Sequence, residues 1–546
     1  MSEPGAASPT STPAPAAPPS LARSTAVMTV LTLVSRATGL VRIVLVGAVV
    51  GTTFLGNTYE STNTIPNVVF ELMAAGTFQA VLIPTLVRLM DRGRQDEAEH
   101  IAASVFGVAL VALFGVAIVG MAFAHQIAEV LFSGSDEAVR ADQVRLGSIF
   151  LLIFLPQVGM YATGMVATGV LNAQQRFAVP AIAPAVNNVI VCTAYGLFWW
   201  SRQGAEPSLD LSTLQIALLA GGTTAGVVGF SLVPLLAVRR TPFHLRVGFD
   251  RRHPEVVRIL KMGMWAAGFL ASTQLLIVVE LLLANQIKGG VVALQIGWTF
   301  FLLPYALFAQ PVLTALFPTL SRQAAQHDHE GFARSVERGT EVICLFVIPA
   351  AIAFAAVGPA LCRAILFGAI DQAGASEVGR VVVAFAPGVV GYGLLLFYAR
   401  ALYARDDAHT PTIVNLAAGL AGGIAMVVVF PLATSSWRVP ALAGVHALVY
   451  SLAAVALARI VARRLPPEAR PHLLRRLRPQ LLAVVPVAAA GLAVGRLVDL
   501  DSRPAAALGG AVVAGGIVVT FALVTAAFGG PSPRTMVGAL RRGGRS

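Results

Sequence analysis

The sequence predicts an all-α integral membrane protein of about fourteen transmembrane helices, arranged as two six-helix lobes with two further helices at the end. Three observations carry this reading. Apolar stretches long enough to cross a bilayer follow one another from Ala26 almost to Phe528, the basic residues concentrate in alternate loops, and motifs recur at offsets of 231 and 234 residues.

The 546 residues are 56% hydrophobic and 12% charged, with a mean hydropathy of +0.76, whereas soluble domains average about 25% charged. A helix crossing the hydrocarbon core needs about 20 mostly apolar residues. Such stretches lie near residues 26–50, 62–86, 101–124, 146–168, 179–200, 213–238, 262–285, 291–318, 340–361, 381–403, 411–433, 440–458, 479–498 and 505–528. The 51 glycines and 32 prolines suit that solvent, since both are commoner in membrane helices than in soluble ones. Residues 1–22, rich in Ala, Pro, Ser and Thr, read as a disordered cytoplasmic tail; no basic cluster precedes an apolar core and cleavage site as in a signal peptide.

The net charge of +12 comes almost wholly from arginine, the only lysines being Lys261 and Lys288. These basic residues sit in short loops and form no surface that could track phosphates, so nucleic acid is excluded as a partner. With the N-terminus inside, the cytoplasmic segments hold 27 of the 39 basic residues, the outer segments nine, and the spans themselves three: Arg36, Arg42 and Arg400. That three-to-one bias satisfies the positive-inside rule. Adding or dropping one helix would put the arginine-rich connections at 239–261 and 459–478 outside, so the span count must be even and the C-terminus cytoplasmic. Cys192, Cys344 and Cys362 are too scattered for a disulfide framework or a metal site.

Ala80 to Arg88 reads AVLIPTLVR and Thr314 to Arg322 reads TALFPTLSR, five identities in nine at an offset of 234. At an offset of 231, Pro156, Val158, Tyr161, Leu171, Ala173, Pro180 and Ile182 recur as Pro387, Val389, Tyr392, Leu402, Ala404, Pro411 and Ile413. Six helices separate each pair, so the repeat is parallel, and such repeats place a site between two lobes that rock against each other. The expected units are a tail at 1–22, lobes at 23–240 and 241–465, two extra helices in 466–530, and a basic cytoplasmic tail at 531–546.

The first span contains SRATGLVR, which sets Arg36 and Arg42 within about 6 Å of its midpoint. An arginine at that depth costs at least ~2.5 kcal/mol, so the pair is expected to face a polar cavity and bind an anion. On a straight helix the two lie roughly 120° apart, and Gly39 between them would permit a bend. The competing reading pairs an arginine with a carboxylate such as Glu71 on a neighbouring helix. Glu60, Asn63, Asn67 and Glu71 recur at helical spacing on the second span and form one polar face for the same cavity. The equivalent helix of the second lobe has Leu270 and Leu276 at the arginine positions, with Ser272, Thr273, Gln274 and Glu280 as its polar groups, which assigns the cationic site to the first lobe alone. Arg400, near a span end, is expected to snorkel. No Asp falls in a span, and of nine histidines only His446 does. A membrane enzyme would need such groups for metal binding or base catalysis, so no enzyme, metal or cofactor is expected. Isolated His446 reads as a packed polar residue.

SRATGLVR, NTIPNVVFELMAAGTF in the second helix, and the PTL motifs at Pro84 and Pro318 resemble the MurJ (MviN) family of lipid II flippases, within the multidrug, oligosaccharidyl-lipid and polysaccharide exporter superfamily. The resemblance runs from residue 24 to about 530. It implies two six-helix lobes plus two helices that form a groove for the polyprenyl tail. It also implies a transporter of the peptidoglycan precursor lipid II in the bacterial cytoplasmic membrane, working by alternating access and driven by membrane potential or a cation. Membrane lipids and cell-wall synthesis or division proteins are its implied partners. Arg36 and Arg42 fall on family arginines thought to engage the diphosphate. Asn57 stands where an aspartate is common, Phe70 or Glu71 where a cavity arginine is common, and Thr299 where a second-lobe arginine is common. The candidate cavity wall is therefore Asn57, Glu60, Asn63, Asn67, Glu71 and Thr299. A flippase for another lipid-linked oligosaccharide, a cation-coupled multidrug exporter and a non-transporting scaffold are the alternatives; two mid-membrane arginines and no carboxylate cluster weigh against the exporter.

Overall fold

The computed structural model describes residues 21–74, 77–250, 252–498 and 502–530, with the side chains of 21–29, 72–81 and 262–273 left aside. The expected tail at 531–546, all of the tail at 1–22 but its last two residues, and the side chains of Leu270, Ser272 and Thr273 lie outside that set; residues 21 and 22 already belong to the first helix. The first half consists of α1 (Leu21–Val50), α2 (Phe54–Ala74), α3 (Thr77–Asp91), α4 (Gln95–Ala122), α5 (Ala124–Leu131), α6 (Glu137–Phe154), α7 (Gln157–Ala173), α8 (Ala178–Ser201), and α9 (Thr213–Ile216) running through a π-turn into α10 (Gly222–Val238). The second half holds α11 (Pro254–Ala284), α12 (Gly290–Pro304), a π-turn at Tyr305–Ala309, α13 (Gln310–Ala325), α14 (His329–Ile365), α15 (Gln372–Tyr403), α16 (His409–Leu432) and α17 (Arg438–Arg463). Then come α18 (Leu473–Gly495) and α19 (Arg503–Ala527).

Among the described residues, twelve helices are long and apolar enough to cross a membrane. The expected span at 62–86 falls on α2 and α3, with residues 75 and 76 between them outside the described set, and that at 262–285 falls on α11, where the side chains of 262–273 are left aside. Large apolar side chains stand open on the outside, among them Val111, Ile118, Trp200, Ile424 and Leu432. A soluble protein rarely tolerates that much exposed apolar surface; in a bilayer it is the lipid-facing side.

The two halves repeat one packing scheme. In the first, α1 lies on α8, α8 on α10, α10 on α7, α7 on α4, and α3 on α7. In the second, α11 lies on α16, α16 on α17, α17 on α15, α15 on α14, and α13 on α15. Duplicated positions end in different backbones, however. Pro156 separates α6 from α7, whereas its counterpart Pro387 sits inside unbroken α15. Close approach substitutes for the hydrophobic effect, which does not operate between helices in lipid. A Cβ on Gly388 would stand 2.5 Å from the Ala447 Cα, so only glycine lets α17 come this near α15.

The final pair packs on α14. Ala483, Val487, Ile517 and Phe521 bury Cys344, Leu345, Ile348 and Ile352, and Arg476 anchors the start of α18 to Glu341 at 2.8 Å. The connection between the halves is laid along α4: the Gly248 amide donates to the Ala103 carbonyl at 3.0 Å, and His100 meets Asp250 at 3.1 Å. Hydrogen bonds from His100 and from the amides of Arg252 and His253 hold the Asp250 carboxyl below the usual carboxylate range.

Candidate functional site

The seam between the halves is sealed at the end where α1 stops. The Ala369 amide donates to the Ala48 carbonyl at 2.8 Å. Gly51 (φ +67°) and Gly368 (φ +71°) take the left-handed conformation there. A Cβ on Gly51 would lie 2.4 Å from the Ala369 carbonyl oxygen, and one on Gly368 2.4 Å from that of Ala48. Both positions thus demand glycine twice over, for backbone angle and for space. Beside them, Asn57 Nδ2 donates to the Ile287 carbonyl at 2.8 Å and its Oδ1 accepts from the Val291 amide at 3.1 Å. Ser61 donates to Asn285 Oδ1 at 3.1 Å, and Asn285 Nδ2 to the Leu131 carbonyl at 3.3 Å. Asn57 is completely buried. The expectation that it lines a cavity is corrected: its amide matches the free backbone groups at the start of α12 and makes it part of the seal.

Deeper in the seam, α1 continues helical past Gly39, so Arg36 and Arg42 point apart as an unbroken helix requires. Arg42 turns into the first half. Its guanidinium engages the Tyr195 hydroxyl and feels Tyr59 and Glu60. Those hydroxyls form a buried chain, Tyr59 bonding Tyr195 and Thr223 at 2.7 Å each. Glu60, buried on α2, bonds Gln295 of α12 across the seam and feels the Arg42 charge. Arg36 turns the other way and is exposed. It acts on Tyr305 of the π-turn, and so does Arg400 of α15. Among the described residues no carboxylate oxygen comes within 4.0 Å of Arg36, Arg42 or Arg400.

Other expectations divide. Asn67 accepts from the Tyr161 hydroxyl at 2.9 Å and donates to the Asn63 backbone carbonyl at 3.0 Å, so the Asn67 amide ties α2 to itself and to α7. Glu71 accepts from Gln274 of α11 at 2.5 Å, and this bond, not one to Arg36, is its contact. Thr299 bonds back to the Gln295 carbonyl at 3.0 Å, and the two share one face of α12. In the second half the charge of Arg400, like that of Arg36, acts on Tyr305. Gln295, Tyr305 and Tyr195 went unnoticed. The polar Gln295 and Thr299, four apart on an otherwise apolar helix, were the signal for the first. His446, read as isolated, in fact meets Glu280.

Two halves packed alike, a seal of paired glycines at one end, and membrane helices that carry Arg36, Arg42 and Arg400 fit a multi-pass membrane protein of two-lobed architecture. The profile of the family described as lipid II flippase MurJ matches residues 46–522. The chain belongs to that family, and so is a protein of the bacterial cytoplasmic membrane. It is 27% identical over 404 residues to a probable lipid II flippase MurJ of Rhizobium tropici, covering 73% of this chain and 74% of that one. To the lipid II flippase MurJ of Burkholderia cenocepacia it is 26% identical over 395 residues, 71% of this chain and 74% of that one. It shares the fold of a solved lipid II flippase MurJ in an inward closed conformation, with a TM-score of 0.71 at 18% identity over 90% of this chain and 97% of that one. A multidrug resistance MATE family transporter in an inward-facing conformation is a more distant likeness, with a TM-score of 0.66 at 11% identity over 80% of this chain and 97% of that one.

Proposed function

We propose that this chain flips lipid II from the inner to the outer leaflet of the cytoplasmic membrane by alternating access. Membership of the flippase family supports the substrate class. The single observation that supports the mechanism is that, among the described residues, Arg36, Arg42 and Arg400 of the membrane helices have no carboxylate oxygen within 4.0 Å. A diphosphate offers oxygens that suit guanidinium forks, and a charge left unpaired in a membrane is kept for a ligand. Arg36 makes the first contact, Arg400 closes on the anion from the second lobe, and Arg42 takes it over from the first.

The lobes are residues 23–240 and 241–465, within fourteen spans and with both ends cytoplasmic. In that orientation the glycine seal faces outward and the headgroup enters from the cytoplasm, while the polyprenyl tail stays in lipid beside α18 and α19. The reaction breaks no covalent bond. Cell-wall synthesis and division proteins are the natural neighbours of such a carrier.

The test is complementation. A strain depleted of its essential lipid II flippase should survive when this chain is expressed, and Arg36→Ala should abolish the rescue at unchanged protein level. Failure of a well-expressed, inserted chain to rescue would redirect the reading to another lipid-linked oligosaccharide.

A further inference from the structure

Glu71, in the last turn of α2, is exposed although it falls inside an expected span, where ionisable residues are rare and functional. Among the described residues no basic nitrogen lies within 4.0 Å of its carboxylate. Its contact is a neutral one: Nε2 of Gln274 on α11, itself 3% exposed, donates to Oε2 at 2.5 Å. A carboxamide fixes the place of a carboxylate and leaves its charge uncancelled.

The negative group stands close to the positive ones. The charge of Glu71 is felt by Tyr392 of α15, which packs edge-on against Tyr305 at 5.0 Å between centroids. Tyr305 is the ring on which the charges of Arg36 and Arg400 act. One pair of rings thus links an uncancelled anion to two cations that no carboxylate pairs, and such rings themselves attract a cation to their faces.

We propose that Glu71, held in place by Gln274, is the subsite for a primary ammonium on the substrate headgroup, so that the chain selects a dipolar headgroup with diphosphate at the arginines and amine at Glu71. This deepens the flippase reading and rests on it. In lipid II the sugar nitrogens are acetylated and neutral, and the primary amine belongs to the side chain of the third residue of the peptide. Three residues of extended chain span about 10 Å, so a headgroup anchored by its diphosphate can set that amine at a separate place. There the ammonium cancels the Glu71 charge, donates charged hydrogen bonds to the carboxylate and meets the tyrosine faces. A peptide carboxylate in the same place meets repulsion, which gives the site a direction for the peptide as well. If Glu71 served only to tie α2 to α11, a neutral acceptor would serve equally.

The test titrates the full chain in nanodiscs with two probes: lipid II with lysine in its peptide, and the same lipid with the lysine Nζ acetylated. Wild type should bind the first roughly tenfold more tightly, the scale of a charged hydrogen bond gained over a neutral one. Glu71→Gln keeps an acceptor for Gln274 and should bind both probes alike, as weakly as wild type binds the acetylated lipid. Glu71→Asp keeps the charge on a shorter arm and should show a smaller preference of the same sign. Equal binding of the two probes by wild type, or an undiminished preference in Glu71→Gln, overturns the ammonium site and leaves the flippase reading standing. If Glu71→Gln does not accumulate, an unchanged preference in Glu71→Asp overturns the assignment in its place. Binding of neither lipid by wild type overturns the substrate and the subsite together.

Discussion

Glu71 on α2 accepts a hydrogen bond from Gln274 on α11 at 2.5 Å, across the seam between the two halves. The acidic residue that could have neutralised Arg36 thereby bridges the two halves instead.

Arg36 and Arg42 should fail differently. Arg36→Ala removes an exposed charge, so protein level should be unchanged while complementation is lost; Arg36→Lys should keep part of the activity, having charge without the bidentate fork. Arg42→Ala leaves Glu60 and the Tyr59 to Tyr195 chain without their cation, and a buried group stripped of its partner destabilises the fold. Its abundance should fall, and Glu60→Gln in the same chain should restore abundance without restoring transport. Immunoblots beside growth curves read both, and equal abundance of the two alanine variants would refute the distinction.

Asn57→Ala should weaken the seal. The change unpairs the buried Val291 amide and Ile287 carbonyl, which costs roughly 1–3 kcal/mol in the sealed state only. Since about 1.4 kcal/mol is tenfold in an equilibrium, a cysteine placed at Gln295 should react roughly tenfold or more faster with an impermeant maleimide added outside. An unchanged labelling rate would mean that the glycine contacts alone hold the seal.

The connection between the halves should loosen when Asp250 loses its charge. Its carboxyl is held low by His100 and by two backbone amides. The hold is therefore complete at neutral pH and is lost only as pH falls through the folded-state value, below the range of a free aspartate. Asp250→Asn should mimic the acid state at pH 7, and trypsin should then cut the 239–253 connection severalfold faster than in wild type.

Removing α18 and α19 by truncation near Arg475 should yield a chain that inserts yet cannot transport. The cut uncovers the α14 face around Cys344 and Ile352, so the melting temperature in detergent should drop by several degrees. Full transport by the shortened chain would show that the pair is dispensable for the lipid tail.

Much of this site was legible before any coordinates, for identifiable reasons. Arg36 and Arg42 stand out because a charge at mid-membrane needs justification wherever it occurs, and the stripe from Glu60 to Glu71 because helical spacing is local. The partners were not legible. Whether Asn57 faces water or the start of α12, and whether Glu71 turns to Arg36 or Gln274, depends on the angle between two helices more than 200 residues apart. Arg400 reads along the chain as a snorkelling residue near a span end, and nothing in the sequence marks Tyr305, on which its charge acts.

The sequence by itself determined the solvent, the helical class, the duplication and the depth of the cations, since each follows from hydropathy, periodicity and covalent spacing along one chain. Tertiary structure alone decided which end of the seam is sealed, which half each arginine serves, and that His446 and Glu280 meet. Those outcomes rest on approaches of a few ångströms between helices, set by where a glycine lets backbones touch. No pattern along the chain records them.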